Sequence, residues 1–102
     1  MKKDAEVFVV HDYVKLALAQ DGKDVLVLGY RLGLTDSERE IVKILLEASR
    51  PMYKSELSML VDIAENSLAV HIANINKKAL PITGRKLLVG NRQGEYMISE
   101  NI

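Results

Sequence analysis

Lys77, Lys78, Arg85, Lys86 and Arg92 all fall between residues 66 and 94, a window that contains no aspartate or glutamate. Residues 1–65, by contrast, carry nine basic and twelve acidic side chains, a balance of −3. The chain as a whole has a formal net charge of zero, so only this segregation points to an anionic partner. Ammonium and guanidinium groups gathered without carboxylates are suited to neutralising phosphates. Asn66, Asn74 and Asn76 lie in the same window. A carboxamide offers a donor beside an acceptor and can pair bidentately with an adenine edge. Ser67, Val70, His71 and Gln93 complete the set of candidate contacts.

Other chemistry finds little support. There are no cysteines, which excludes disulfides, Cys-ligated zinc and a thiol nucleophile, and suits a reducing, cytoplasmic setting. The only histidines are His11 and His71. With Asp12 they could be drawn as a metal site, but a 60-residue gap without a clustered third ligand makes that arbitrary. No Gly-rich phosphate loop, nucleophile elbow or paired-carboxylate arrangement is visible, so neither an enzyme nor a cofactor is expected. Hydrophobic residues at 48% and charged residues at 27% describe an ordinary globular chain. No apolar run approaches the roughly 18 residues of a membrane helix.

These side chains need a scaffold. Glu6–Val10, Val14–Gln20 and Lys23–Leu28 read as strands, with Asp21-Gly22 as a hairpin signal between the last two. Gly29–Gly33 reads as a further extended piece, giving a small N-terminal antiparallel sheet. Thr35 and Glu38 form a capping-box pattern, and the acids Asp36, Glu38 and Glu40 suit the first turns of a helix. That helix runs to about Ala48, with Ile41, Ile44, Leu45 and Ala48 on its buried face. A second helix spans Lys54–Val61 with Leu57, Leu60 and Val61 inward, and its start at Tyr53 lacks a good cap. A third begins near Asp62–Ser67 and runs to about Ala79, where Pro81 stops it. Its core stripe is Leu68, Ile72, Ile75 and Ala79, which leaves Asn66, Val70, Ala73, Asn74 and Lys77 on the other face. Lys86–Gly90 and Glu95–Ser99 form a closing hairpin around Asn91–Gly94.

Two helices joined by a tight turn, followed by a β-hairpin, make a winged helix-turn-helix in the α+β class. The expected organisation is one domain, with residues 1–33 as strands packing on the core of the winged helix at 34–102. A B-DNA major groove admits one α-helix, and the hairpin can then rest on the backbone or in the minor groove.

The stretch from about Leu34 to Ile98 resembles the effector domain of OmpR/PhoB-type bacterial response regulators. Leu34-Thr35 with Glu38 matches that family's Leu-Thr-x-x-Glu helix opening. Leu68-Ala69-Val70-His71-Ile72 is similar to its Val-Asp-Val-His-Ile, and Ile75–Ala79 stands where it has Leu-Arg-x-Lys-Leu. Gly94–Ile98 is similar to its closing Gly-Tyr-x-Leu strand, with Glu95 inserted, and a four-strand sheet ahead of the first helix extends the likeness to about Val14. The resemblance implies a double-stranded DNA partner, transcription regulation within a two-component system, and the third helix as the recognition helix. There are departures. Asn66 and Asn76 stand where arginines are common, Ala69 stands for an aspartate, and no receiver domain is present. Two lost guanidiniums lower the expected DNA affinity. The rival expectation is a winged helix that binds protein instead of DNA. A homodimer through the N-terminal strands Glu6–Gln20 would supply two copies for adjacent half-sites.

Overall fold

The structure is a computed structural model that describes residues 5–6 and 16–99. The order of elements is β1 (Ala5–Glu6), β2 (Leu16–Ala19), β3 (Val25–Val27), β4 (Tyr30–Arg31), α1 (Asp36–Ala48), β5 (Met52–Tyr53), α2 (Lys54–Val61), α3 (Glu65–Thr83), β6 (Leu88–Gly90) and β7 (Glu95–Ile98). Most of the strand expected at Glu6–Val10 lies outside the described residues, as do His11 and Asp12.

Two antiparallel sheets bracket the helices, in orders β1-β2-β3-β4 and β5-β7-β6. In the first, Leu16 pairs with Val27 and Leu18 with Val25. Asp21 and Gly22 do turn the chain, but in a five-residue loop from Gln20 to Asp24, with the Gly22 N–H donating to the Ala19 carbonyl. Asp24 is buried there, and its carboxylate accepts from the N–H groups of Val25, Gly33 and Leu34. This one side chain fixes the path from the sheet into α1.

The start of α1 follows the capping box. Thr35 Oγ1 accepts from the Glu38 N–H, and Glu38 Oε1 accepts from the Thr35 N–H. The buried stripe of α1 is Glu38, Ile41, Val42, Leu45 and Leu46, rotated from the expected one so that Ile44 and Ala48 are only partly covered. In α2, Leu57 and Ser58 are buried, whereas Leu60, expected inward, is 59% exposed beside Met59 at 77%. A three-residue turn, Asp62–Ala64, leads to α3. Asp62 closes α2 at φ +64 instead of opening a helix, and Ala64 is the N-cap of α3 with no side-chain bond.

The expected stripe Leu68, Ile72, Ile75 and Ala79 is buried. Pro81 does not stop α3 but sits in its last turn. Proline removes one N–H and crowds the carbonyl four residues earlier. Here Ile82 packs against the core and Gly84, at φ +72, donates to the Leu80 carbonyl, so one further turn is held from both sides. Leu16, Val25 and Val27 share a single apolar cluster with Ile41, Leu57, Leu68, Ile75 and Leu88. Each large side chain so buried contributes about 1.5–3 kcal/mol.

Candidate nucleic-acid interface

The interface builds outward from α3. Its buried stripe leaves Asn66, Val70, Asn74 and Lys77 exposed together with Ala73, and Val70 shows 61% of its surface to solvent. With 100° between successive residues, these five positions share one side of the helix. Ser67 and His71 flank that side and are half-buried.

Beside α3 the chain returns as a ribbon. Leu88 pairs with Ile98 and Gly90 with Tyr96. Two-residue strand β5 was not anticipated, because so short an element beside Pro51 carries no alternation. It pairs with β7, Met52 opposite Tyr96, and ties the wing to the helical core. A groove of about 530 Å³ runs between α3 and the ribbon, lined by Ala69, Ile72, Ala73, Asn76, Lys86, Leu88, Val89, Gly90 and Tyr96. Asn91 builds the ribbon's tip: its Oδ1 accepts from the Gln93 and Glu95 N–H groups, and its Nδ2 donates to Glu95 Oε1. Gly94 supplies the left-handed residue of that turn at φ +80. Arg92 and Gln93 are thereby presented, exposed, on a fixed loop. Strand alternation puts Glu95 with Val89 and Met97 on the face opposite Tyr96.

Two side chains proposed from sequence serve the fold. The ammonium of Lys78 lies 2.6 Å from Glu38 Oε1 and also donates to the Gly33 carbonyl at 3.0 Å. Glu38 is 3% exposed, and its burial pushes its pKa up, but the bonds from Lys78 and the Thr35 N–H outweigh that and hold it below the usual carboxylate range. Lys78, 32% exposed, is therefore engaged as the counter-ion of the buried Glu38. Asn76 is the second: its Nδ2 donates to the Leu88 carbonyl at 2.9 Å, and its Oδ1 accepts from the Leu88 N–H at 2.8 Å. Both amide atoms are thus engaged with one strand residue, which makes Asn76 a clasp between α3 and β6.

Lys77, Arg85, Lys86 and Arg92 remain exposed. Arg85 and Lys86 follow the C-terminal end of α3, Lys86 borders the groove, and Arg92 is at the ribbon tip. Asp62 and Glu65 sit at the opposite, N-terminal end of α3. Arg50 is engaged elsewhere, in a two-point pair with Glu56 at 2.7 and 3.2 Å. Among the described residues no group of three His, Asp or Glu side chains could hold a metal, and no helix is long and apolar enough to cross a membrane.

Helix, three-residue turn, exposed second helix and ribbon, preceded by a four-stranded sheet, form one recurrent arrangement. This is the fold of response-regulator DNA-binding domains. The DNA-binding domain of the response regulator AdeR, solved in complex with an intercistronic region, superposes with a TM-score of 0.72 at 19% identity, over 88% of this chain and 98% of that one. The C-terminal domain of the nisin resistance regulator NsrR, a lantibiotic response regulator, gives 0.69 at 20% identity, over 87% and 96%. A streptococcal protein, from a family of redox sensors evolved from two-component response regulators, gives 0.72 at 20% identity. It covers 89% of this chain but 42% of its own. No family model matches the sequence, and no curated protein does. The response-regulator fold thus agrees with the architecture expected from about residue 14 to residue 98, including its α+β class, wing and N-terminal sheet.

Proposed function

We propose that this chain is a cytoplasmic, effector-type transcription regulator that binds duplex DNA, with α3 in the major groove and the β6–β7 wing on the backbone or in the minor groove. One observation carries the reading. The outward side of α3 bears Asn66, Val70, Ala73, Asn74 and Lys77 without a carboxylate, beside a wing that offers Lys86 and Arg92. Asn66, Ser67, Val70, His71 and Asn74 are the candidate groove contacts, and Lys77, Arg85, Lys86, Arg92 and Gln93 the candidate backbone or minor-groove contacts. Two copies on adjacent half-sites, meeting through the N-terminal sheet, would multiply a modest single-copy affinity.

Salt titration of binding to duplexes selected from a random pool tests this. Three to four phosphate contacts predict a log–log slope near −3, hence a loss of about 40- to 150-fold between 50 and 200 mM salt. Lys77→Glu and Arg92→Glu should each remove most of the binding. The second reading is a protein-binding winged helix, favoured by the exposed apolar pair Met59 and Leu60 at the end of α2. Flat salt dependence together with indifference to both charge reversals would select it.

A further inference from the structure

We infer that the half-site read by α3 is rich in A·T pairs, with Asn66 and Asn74 pairing with adenine edges and Val70 and Ala73 meeting thymine methyl groups. This rests on the DNA-binding reading above and adds to it the identity of the bases. Guanine is read chiefly by Arg or Lys reaching O6 and N7. Helix α3 contains no arginine, and of its two lysines Lys78 is held by Glu38. Lys77 lies twelve residues beyond Glu65, about 18 Å along the axis. Base edges are reached mainly by the N-terminal residues of a recognition helix, so Lys77 falls at the backbone.

What remains on the exposed side within reach, beside the half-buried Ser67 and His71, is of two chemical kinds, carboxamide and aliphatic. Asn66, Val70, Ala73 and Asn74 form a stripe at i, i+4, i+7 and i+8. A carboxamide matches the N6 donor and N7 acceptor of adenine, and an aliphatic group matches only the C5-methyl of thymine. Val70 is an aliphatic side chain held 61% exposed at the centre of that stripe, where a methyl partner would cover it. The wing supplies an independent observation in the same direction. Arg92 stands on a tip fixed by three Asn91 hydrogen bonds, and arginine inserts preferentially into the narrow, electronegative minor groove of A·T tracts.

The test is selection of bound duplexes from a random pool, followed by binding of the winning sequence with deoxyuridine in place of thymidine and 7-deazaadenine in place of adenine. The salt slope is measured alongside. The expected winner has an A·T core. Loss of each contacted methyl should weaken binding about threefold to fivefold, the equivalent of one buried methylene. Loss of each contacted N7 should weaken it about tenfold. Val70→Ser, at an exposed position of α3, should lose the share of the deoxyuridine penalty that Val70 carries and keep only that of Ala73. A G·C core, or indifference to both base analogues, overturns the A·T assignment, while a slope near −3 in the same experiment leaves DNA binding standing. Absence of binding to every duplex at low salt overturns both.

Discussion

Replacing Lys78 by methionine, with Lys77→Met made in parallel, separates two neighbouring lysines that stand 100° apart on α3. Lys78 pairs with Glu38 at 2.6 Å, and Glu38 is 3% exposed. Removing one member of a fully buried pair destabilises by about 3–5 kcal/mol, because the other charge is left unpaired. The Lys78 side chain is 32% exposed, so solvent screens part of this and about 2 kcal/mol is the working figure. In a domain of roughly 100 residues that lowers the melting temperature by about 8–16 °C. Lys77→Met should stay within about 0.5 kcal/mol of the parent in urea, as exposed substitutions do, while its salt slope for DNA falls by about one. The pH dependence follows from the same pair. The folded-state pKa of Glu38 is depressed, so its contribution is full above the ordinary glutamate range and is lost as pH falls through that range and below. Lys78→Met should shrink this acid-linked loss. A Lys78→Met protein that melts within about 2 °C of the parent would refute the assignment.

Asn76→Leu should destabilise by about 2–4 kcal/mol in urea denaturation, since it strands both hydrogen-bonding groups of Leu88, which is 1% exposed. An unchanged midpoint would show that the clasp contributes nothing. Leu28→Asn should stabilise by about 1 kcal/mol, because Leu28 and Gly29 form a two-residue hairpin loop with φ of +53 and +88, geometry that favours Asn-Gly. Thermal melting checks it, with a lowered midpoint as the contrary result. Glu65→Gln should tighten DNA binding about twofold to fivefold at low salt by removing a carboxylate from the N-terminal end of α3, the end that enters the groove in the proposed docking, and the gain should vanish at high salt.

Helix order, the Thr35–Glu38 box and the Asn91–Gly94 turn were all legible because each is written in contiguous residues. So was the outward side of α3, set by the phase of Leu68, Ile72, Ile75 and Ala79. The roles of Lys78 and Asn76 were not, since their partners lie 40 and 12 residues away. A partial signal existed: Lys78 is three residues from Ile75 and Asn76 is four from Ile72, so both border the buried stripe. Charge counting treated every cation in the acid-free window alike, whereas tertiary contact divides them. Hydrophobicity alone places Leu60 inward, but α2 has only eight residues and buries Leu57 and Ser58 instead. Pro81 carries a local breaking signal that the packing of Ile82 on the core and the Gly84 cap override.

The Asn76 clasp has a consequence for spacing. With helix and ribbon gripped at one strand residue, the two prongs of the domain behave as a caliper of fixed opening. On the proposed docking, a duplex would have to present its major-groove message and its minor groove at a constant offset along the axis. One base pair inserted between those two features would disengage a prong, even with every contacted base retained.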